Sequence, residues 1–243
     1  MDEIQKLQQS CYRRYAEEVG LDPNACYIHG TPLRPVVPLD TGVGGVCIVG
    51  AYPSARFEFL NGVSDVPAAD NLGPFESERW LDGNRVREQS SARELEDLFL
   101  RPLKLKRTAC WITDLVKVFL FKIGHVNRYR KLGVVAPLGY ERKRLFELGE
   151  RSIPSLEREL RLARPRLVIT LGAEVAGVLR GVRSASAQVK LLAPNVSDLT
   201  VGDVVVQIMH CAHPGILMRR GTKNPWPERH KKEFLPALKR ALR

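Results

Sequence analysis

Four short apolar runs constrain this chain more than any other feature: Gly45–Val49, Ala109–Thr113, Leu167–Leu171 and Val204–Met209. Each is short for a helix and the right length for a buried strand. Stretches with a helical period separate them, so strands and helices alternate. That alternation predicts an α/β fold, a three-layer αβα sandwich with a central, mainly parallel four-stranded sheet and right-handed crossovers. The carboxyl ends of such strands share one edge, and ligands bind in the crevice outside it. Two of the ends lead into loops punctuated by glycine and proline. Gly50-Ala51-Tyr52-Pro53-Ser54 follows the first strand, and His213-Pro214-Gly215 follows the last. The fold makes them face each other across a single site.

The remaining segments fill in around the strands. Residues 2–19 place Ile4, Leu7, Cys11, Tyr15 and Val19 close to a 3.6-residue period and predict a helix. A proline-rich connector runs from Pro23 to Pro38. Residues 52–90, rich in Gly, Pro, Asn and Asp, read as a long functional loop region. Ser90 or Ser91 caps a helix through Leu95, Leu98 and Phe99. Lys117 to Lys131 is a basic, irregular stretch interleaved with Phe119, Phe121 and Tyr129. Residues 140–163 are helical in two pieces, the second capped by Ser152 with Pro154 in its first turn. Helices at 173–180 and 227–242 complete the pattern. Residues 1–243 read as one domain, with 1–44 as helix and connector and 45–243 as core.

The net charge of +11 on 243 residues suits either a polyanionic partner or a solvated basic surface. No run approaches the ~18 apolar residues of a membrane span, and the polar opening Met1–Lys6 has no signal-peptide core. A cytoplasmic protein without membrane contact is expected. The five cysteines, Cys11, Cys26, Cys47, Cys110 and Cys211, are odd in number and contain no CxxC pair, which argues against disulfides. His210 and Cys211 lie close together but lack further ligands at metal spacing.

Five segments recur in a known order. They are Gly50-Ala51-Tyr52-Pro53, Leu72-Gly73-Pro74-Phe75, Trp111-Ile112-Thr113-Asp114-Leu115-Val116-Lys117, Arg164-Pro165-Arg166-Leu167-Val168-Ile169-Thr170-Leu171-Gly172, and His213-Pro214-Gly215-Ile216-Leu217-Met218-Arg219. Together, from about Cys26 to Leu238, they resemble the uracil-DNA glycosylase superfamily, closest to its iron–sulfur branch. The resemblance implies a monomeric DNA glycosylase-like hydrolase that flips a base out of DNA and cleaves its N-glycosidic bond. Phe75 then stacks on the base, Tyr52 forms a second wall against base or sugar, and Gly50, Ala51 and Pro53 shape the pocket. His213 donates to the 2-oxo group of the departing base. Leu217 or Met218 fills the gap in the duplex, while Ser54, Lys117, Arg219, Arg220 and Lys223 contact DNA. Lys122, Arg128, Arg130 and Lys131 extend the basic surface.

Three departures from the family pattern matter. Asp114 stands where the family has an asparagine that reads uracil with one donor and one acceptor. An ionised aspartate only accepts, which shifts preference toward an amino-bearing base unless its pKa is raised; otherwise Asp114 is a strand-end cap or a surface partner of Lys117. Ala51 and Tyr52 occupy the places of the acid that orients water, so either Asp114, catalytic beside His213, takes over water activation from across the cleft, or turnover is slow or absent. Cys26 matches one cluster ligand, but Val118 replaces another and none stands near Gly149, so neither metal nor cofactor is expected. Two rivals follow: an inactive nucleic-acid-binding module on the same fold, and an enzyme acting on a free nucleotide or nucleoside.

Overall fold

The computed structural model describes residues 2–134, 138–219, 221 and 223–243. Its strands are β1 (Val46–Gly50), β2 (Ala55–Leu60), β3 (Val63–Asp70), β4 (Arg79–Asp82), β5 (Arg85–Glu88), β6 (Cys110–Asp114), β7 (Leu167–Leu171), β8 (Ser197–Val201) and β9 (Val204–Cys211). Five of them form the central sheet in the order β6-β1-β7-β9-β8. β6, β1, β7 and β9 are mutually parallel, and β8 runs antiparallel along the edge of β9. The sheet thus has one strand more than the four apolar runs imply. β8 alternates half-buried and exposed residues, as an edge strand does, so it contains no continuous apolar run.

The period of two along each strand divides the core into two faces. Val46, Ile48, Cys110, Ile112, Leu167, Ile169, Met209 and Cys211 meet Leu95, Phe99, Leu103, Phe234 and Leu238 on one side. These last five come from the helical segments 91–103 and 226–241. Cys47, Val49, Trp111, Val168 and Ile208 meet Leu156, Leu160, Val175 and Val178 on the other, from helices Leu145–Ala163 and Ala173–Leu179. Helix Glu3–Glu18 packs against Leu145–Ala163. Layers of helix, sheet and helix result.

Three local expectations are corrected. Residues 52–90 contain two antiparallel hairpins, β2–β3 and β4–β5. The first turns at Asn61-Gly62, where both residues have the positive φ (47° and 78°) that a tight hairpin turn needs. Leu145–Ala163 is one helix with Pro154 inside it. Ser152 caps nothing; its hydroxyl bonds Leu148 O at 2.6 Å and the Tyr15 hydroxyl at 2.7 Å, and that buried joint holds the helix through its proline. Within Lys117–Lys131, residues Ile123–Lys131 are helical, and Phe119, Phe121 and Tyr129 are buried against one another.

β1 is where the order of the strands reverses. From β1 the next sheet strand, β6, lies to one side, and the following one, β7, lies to the other. A crevice opens at the carboxyl end of such a strand, here Gly50.

Candidate active site at the strand ends

A cavity of about 210 Å³ occupies that crevice. It is lined by Ala51, Tyr52, Pro53, Ser54, Phe75, Asp114 and His213, all expected from sequence, together with Asn71, Gln89, Ser90, Ser91 and Glu94. Gly50, expected in the pocket, ends β1 beside the cavity and is not one of its lining residues; a Cβ there would run into Asp114 Oδ1 and lie 2.7 Å from Phe75 Cε2. Only glycine lets the carboxyl and the ring approach this closely.

Phe75 is 8% exposed and holds a left-handed backbone, φ 56°, a conformation that costs a bulky residue ~1–3 kcal/mol. The surroundings impose it. Arg107 donates to Pro74 O at 3.1 Å and to Glu76 at 3.2 Å. Buried Glu78 binds Arg56 at 2.6 Å and accepts from the Leu72 N–H. The ring is thereby fixed against the end of β1.

Asp114 ends β6, and its Oδ1 closes on Gly50 together with the Phe75 ring. Burial pushes its carboxyl up to about 7, with Lys117 pulling it down and Glu159 pushing it further up. Lys117 itself is 0% exposed. Its ammonium binds Glu159 Oε1 at 2.6 Å, Asp114 O at 2.6 Å and the Thr113 hydroxyl. Glu159 also accepts from Trp111 Nε1 at 3.1 Å. The expectation that Lys117 contacts DNA is therefore wrong, as is its pairing with Asp114 at the surface. A cation at this position is spent on an internal carboxylate and on the backbone that carries Asp114.

His213 caps the short helix Pro214–Leu217, and its Nδ1 accepts from Gly215 N–H at 3.0 Å. An imidazole that accepts at Nδ1 carries its proton on Nε2 when neutral. Burial lowers its pKa, with Glu94 and Glu174 opposing that shift and Arg142 and Lys122 adding to it. The neutral tautomer thus presents an Nε2–H donor that no other group among the described residues engages.

The loop after this helix divides. Leu217 is 5% exposed and belongs to the core, which removes it as a wedge, because the turn points it at the helical segment 91–103. Met218, at 49%, is exposed beside Arg219 and Lys223. Asn224 ties the loop with bonds to Ile216 O at 2.8 Å and Arg219 O at 3.0 Å. Arg220 lies outside the described residues. In the second basic stretch, Arg128 is committed to the carbonyls of Ser64 and Asp65, each at 2.8 Å; Lys122, Arg130 and Lys131 remain exposed.

Sequence reasoning passes over Glu94, Asn71 and Gln89. Gln89 Nε2 donates to Asn71 Oδ1 (2.9 Å) and Ala55 O (3.0 Å), fixing two carboxamides in the cavity wall. Glu94 has one legible signal, its place directly before Leu95 at the border of a buried helix face. Among the described residues no three His, Cys, Asp or Glu side chains stand together as a metal site, and no helix is long and apolar enough to cross a membrane.

No curated protein matches the chain. The family model described as the Uracil DNA glycosylase superfamily matches residues 45–239, a span that includes all five strands of the central sheet and every residue lining the cavity. The chain belongs to the uracil DNA glycosylase superfamily.

Proposed function

We propose that this protein releases a base from DNA by hydrolysing its N-glycosidic bond. The observation that carries the reading is the Nε2–H of His213, fixed by the Gly215 bond and sharing one cavity with Phe75 and Asp114. A cavity of 210 Å³ is below the ~300–1,000 Å³ of sites for drug-sized ligands and suits a single base. Extruded from DNA, the base stacks on Phe75. Its far edge meets Asp114, and its 2-oxo group accepts from His213. As the glycosidic bond breaks, negative charge grows on that oxygen, where a preorganised donor supplies ~3–4 kcal/mol of transition-state stabilisation. Met218, Arg219, Arg220 and Lys223 engage the DNA around the gap.

Asp114 sets the choice of base. Its carboxyl titrates at about 7, so both forms are populated near neutrality. Protonated, it offers one donor and one acceptor, the pair an asparagine presents, and suits the 4-oxo and imide N–H edge of uracil. Ionised, it only accepts and favours a base edge that carries an amino group.

The test is base release from single- and double-stranded oligonucleotides containing uracil, hypoxanthine, xanthine or a modified cytosine, with His213→Ala as control. Release of one base, slowed about 100- to 1,000-fold by His213→Ala, supports the reading. A second reading, a binding module without catalysis, rests on the loop Gly50–Pro53, which holds no carboxylate. Tight, salt-sensitive DNA binding without release of any base selects it.

A further inference from the structure

The loop after β1 has no acid, yet hydrolysis needs a water molecule made nucleophilic and a counter-charge for the cationic sugar. We propose that Glu94, on the helical segment facing His213, is the carboxylate that meets the sugar and takes the proton from the attacking water. The proposal rests on the base-release reading and deepens it.

Position within the cavity carries the argument. In a pyrimidine the 2-oxo carbon is bonded to the glycosidic nitrogen, while the 4-position lies across the ring. The His213 end of the cavity is therefore the sugar end, and the Asp114 end is the far edge of the base. Glu94 belongs to the His213 end. It lines the same cavity, and its helix Ser91–Leu95 packs against Pro214–Leu217, the helix that His213 caps. Glu94 is the foremost charge acting on His213. The charges acting on Asp114 are instead Lys117 and Glu159.

Glu94 is also uncommitted. Glu159 is locked to Lys117, Glu78 to Arg56 and Glu174 to Arg142. No bond or ion pair engages the carboxylate of Glu94 among the described residues, and it is half-buried at the cavity wall. A carboxylate there remains free to accept a proton and to face a cation.

The step balances. The glycosidic C1′–N bond breaks with its electron pair leaving on the base, whose 2-oxo group is held by His213 Nε2–H. Water oxygen bonds C1′, and its proton passes to Glu94 and then to the base or solvent. The products are an abasic sugar and the neutral base. Asp114, at the opposite end, takes no part in this transfer.

The experiment compares wild type with Glu94→Gln, which keeps the size and removes the charge. Two readouts are used: single-turnover base release, and binding of oligonucleotides carrying a cationic pyrrolidine or a neutral tetrahydrofuran in place of the sugar. Wild type should prefer the cationic analogue about tenfold or more, as a charge-assisted contact does, and Glu94→Gln should abolish the preference. Its base release should fall about 100-fold or more, with affinity for the neutral analogue unchanged. If Glu94→Gln keeps both the preference and the rate, the proposal is overturned while base release itself stands. If wild type neither releases a base nor prefers the cation, both fall.

Discussion

Asp114→Asn is the substitution whose consequence can be worked out furthest. The carboxyl titrates near 3.8 in an unfolded chain and at about 7 in the folded protein, because the fold buries it. Each unit of difference is worth 1.36 kcal/mol, so ionised Asp114 destabilises the fold by something on the order of 4 kcal/mol at pH 8. The sign follows from proton binding. Between the two values the folded state holds the proton more tightly, so this contribution is fully present below pH ~4 and is lost as pH rises through ~7. Asparagine has the same shape and no proton to lose. Urea midpoints of both proteins from pH 5 to pH 8 should diverge, the variant gaining about 1.4 kcal/mol per pH unit up to pH ~7 and little beyond. Uracil release gives a second profile. Wild type should lose it above pH ~7, about tenfold per unit, as the donor ionises, while Asp114→Asn should show no such loss. Stability curves that run parallel across the range would refute the reasoning, because they would mean that Asp114 ionises as easily folded as unfolded.

Three further outcomes follow from the geometry. Lys117→Met leaves Glu159 buried without its cation and should cost ~3–5 kcal/mol in a denaturant titration; it should also drive the Asp114 titration higher, since Lys117 is the group that lowers it. Gly50→Ala places a methyl group against Asp114 Oδ1 and the Phe75 ring. It should cost ~1–3 kcal/mol of stability and weaken binding of DNA with an extruded base more than binding of intact duplex. Arg219→Ala and Lys223→Ala, both exposed on the loop beyond His213, should each lower the slope of log affinity against log salt by ~0.9 if they hold phosphates.

The sheet is legible because its parallel strands are largely buried on both faces and so read as short, mainly apolar runs; β1, β6 and β7 are buried at every residue, and β9 is buried from Ile208 to Cys211, although Val205 and Gln207 nearer its start are exposed. β8 does not read this way, being an edge strand that alternates half-buried and exposed residues, and the first hairpin, β2–β3, is interrupted by register shifts. Asn61-Gly62 is a pair that favours a tight hairpin turn, but its flanking residues lack the clean alternation that would identify strands. The cavity is legible where it hangs on strand ends, at Ala51, Asp114 and His213. Glu94 carries a single faint signal, its place before Leu95, and Gln89 carries none; they reach the cavity from a helix and from the end of a hairpin strand. Lys117 misleads for a physical reason. A lysine belongs to the surface by default, even flanked by apolar residues as here, and its burial depends on Glu159, a partner within the helix Leu145–Ala163 that no local pattern names.

That buried pair also explains how two carboxyl groups in one small cavity can differ. Lys117 and Glu159 together are neutral, so they brace the end of β6 without supplying Asp114 with a dedicated counter-charge: the lysine lowers its pKa, the glutamate raises it, and desolvation prevails over both. Asp114 therefore keeps its proton into the neutral range and can donate, which is what recognition of a keto group demands. Glu94, half-buried and unpaired beside an imidazole with its Nε2–H free, stands where an acceptor and a negative charge are useful. Under the proposed reading, Asp114 meets the base and Glu94 meets the sugar. A neutral residue at position 159 tests this logic directly. Glu159→Gln leaves Lys117 as an uncompensated neighbour, so the Asp114 titration should move down, and the pH at which uracil release fails should fall with it. A pH limit that stays in place would show that Asp114 does not govern the choice of base.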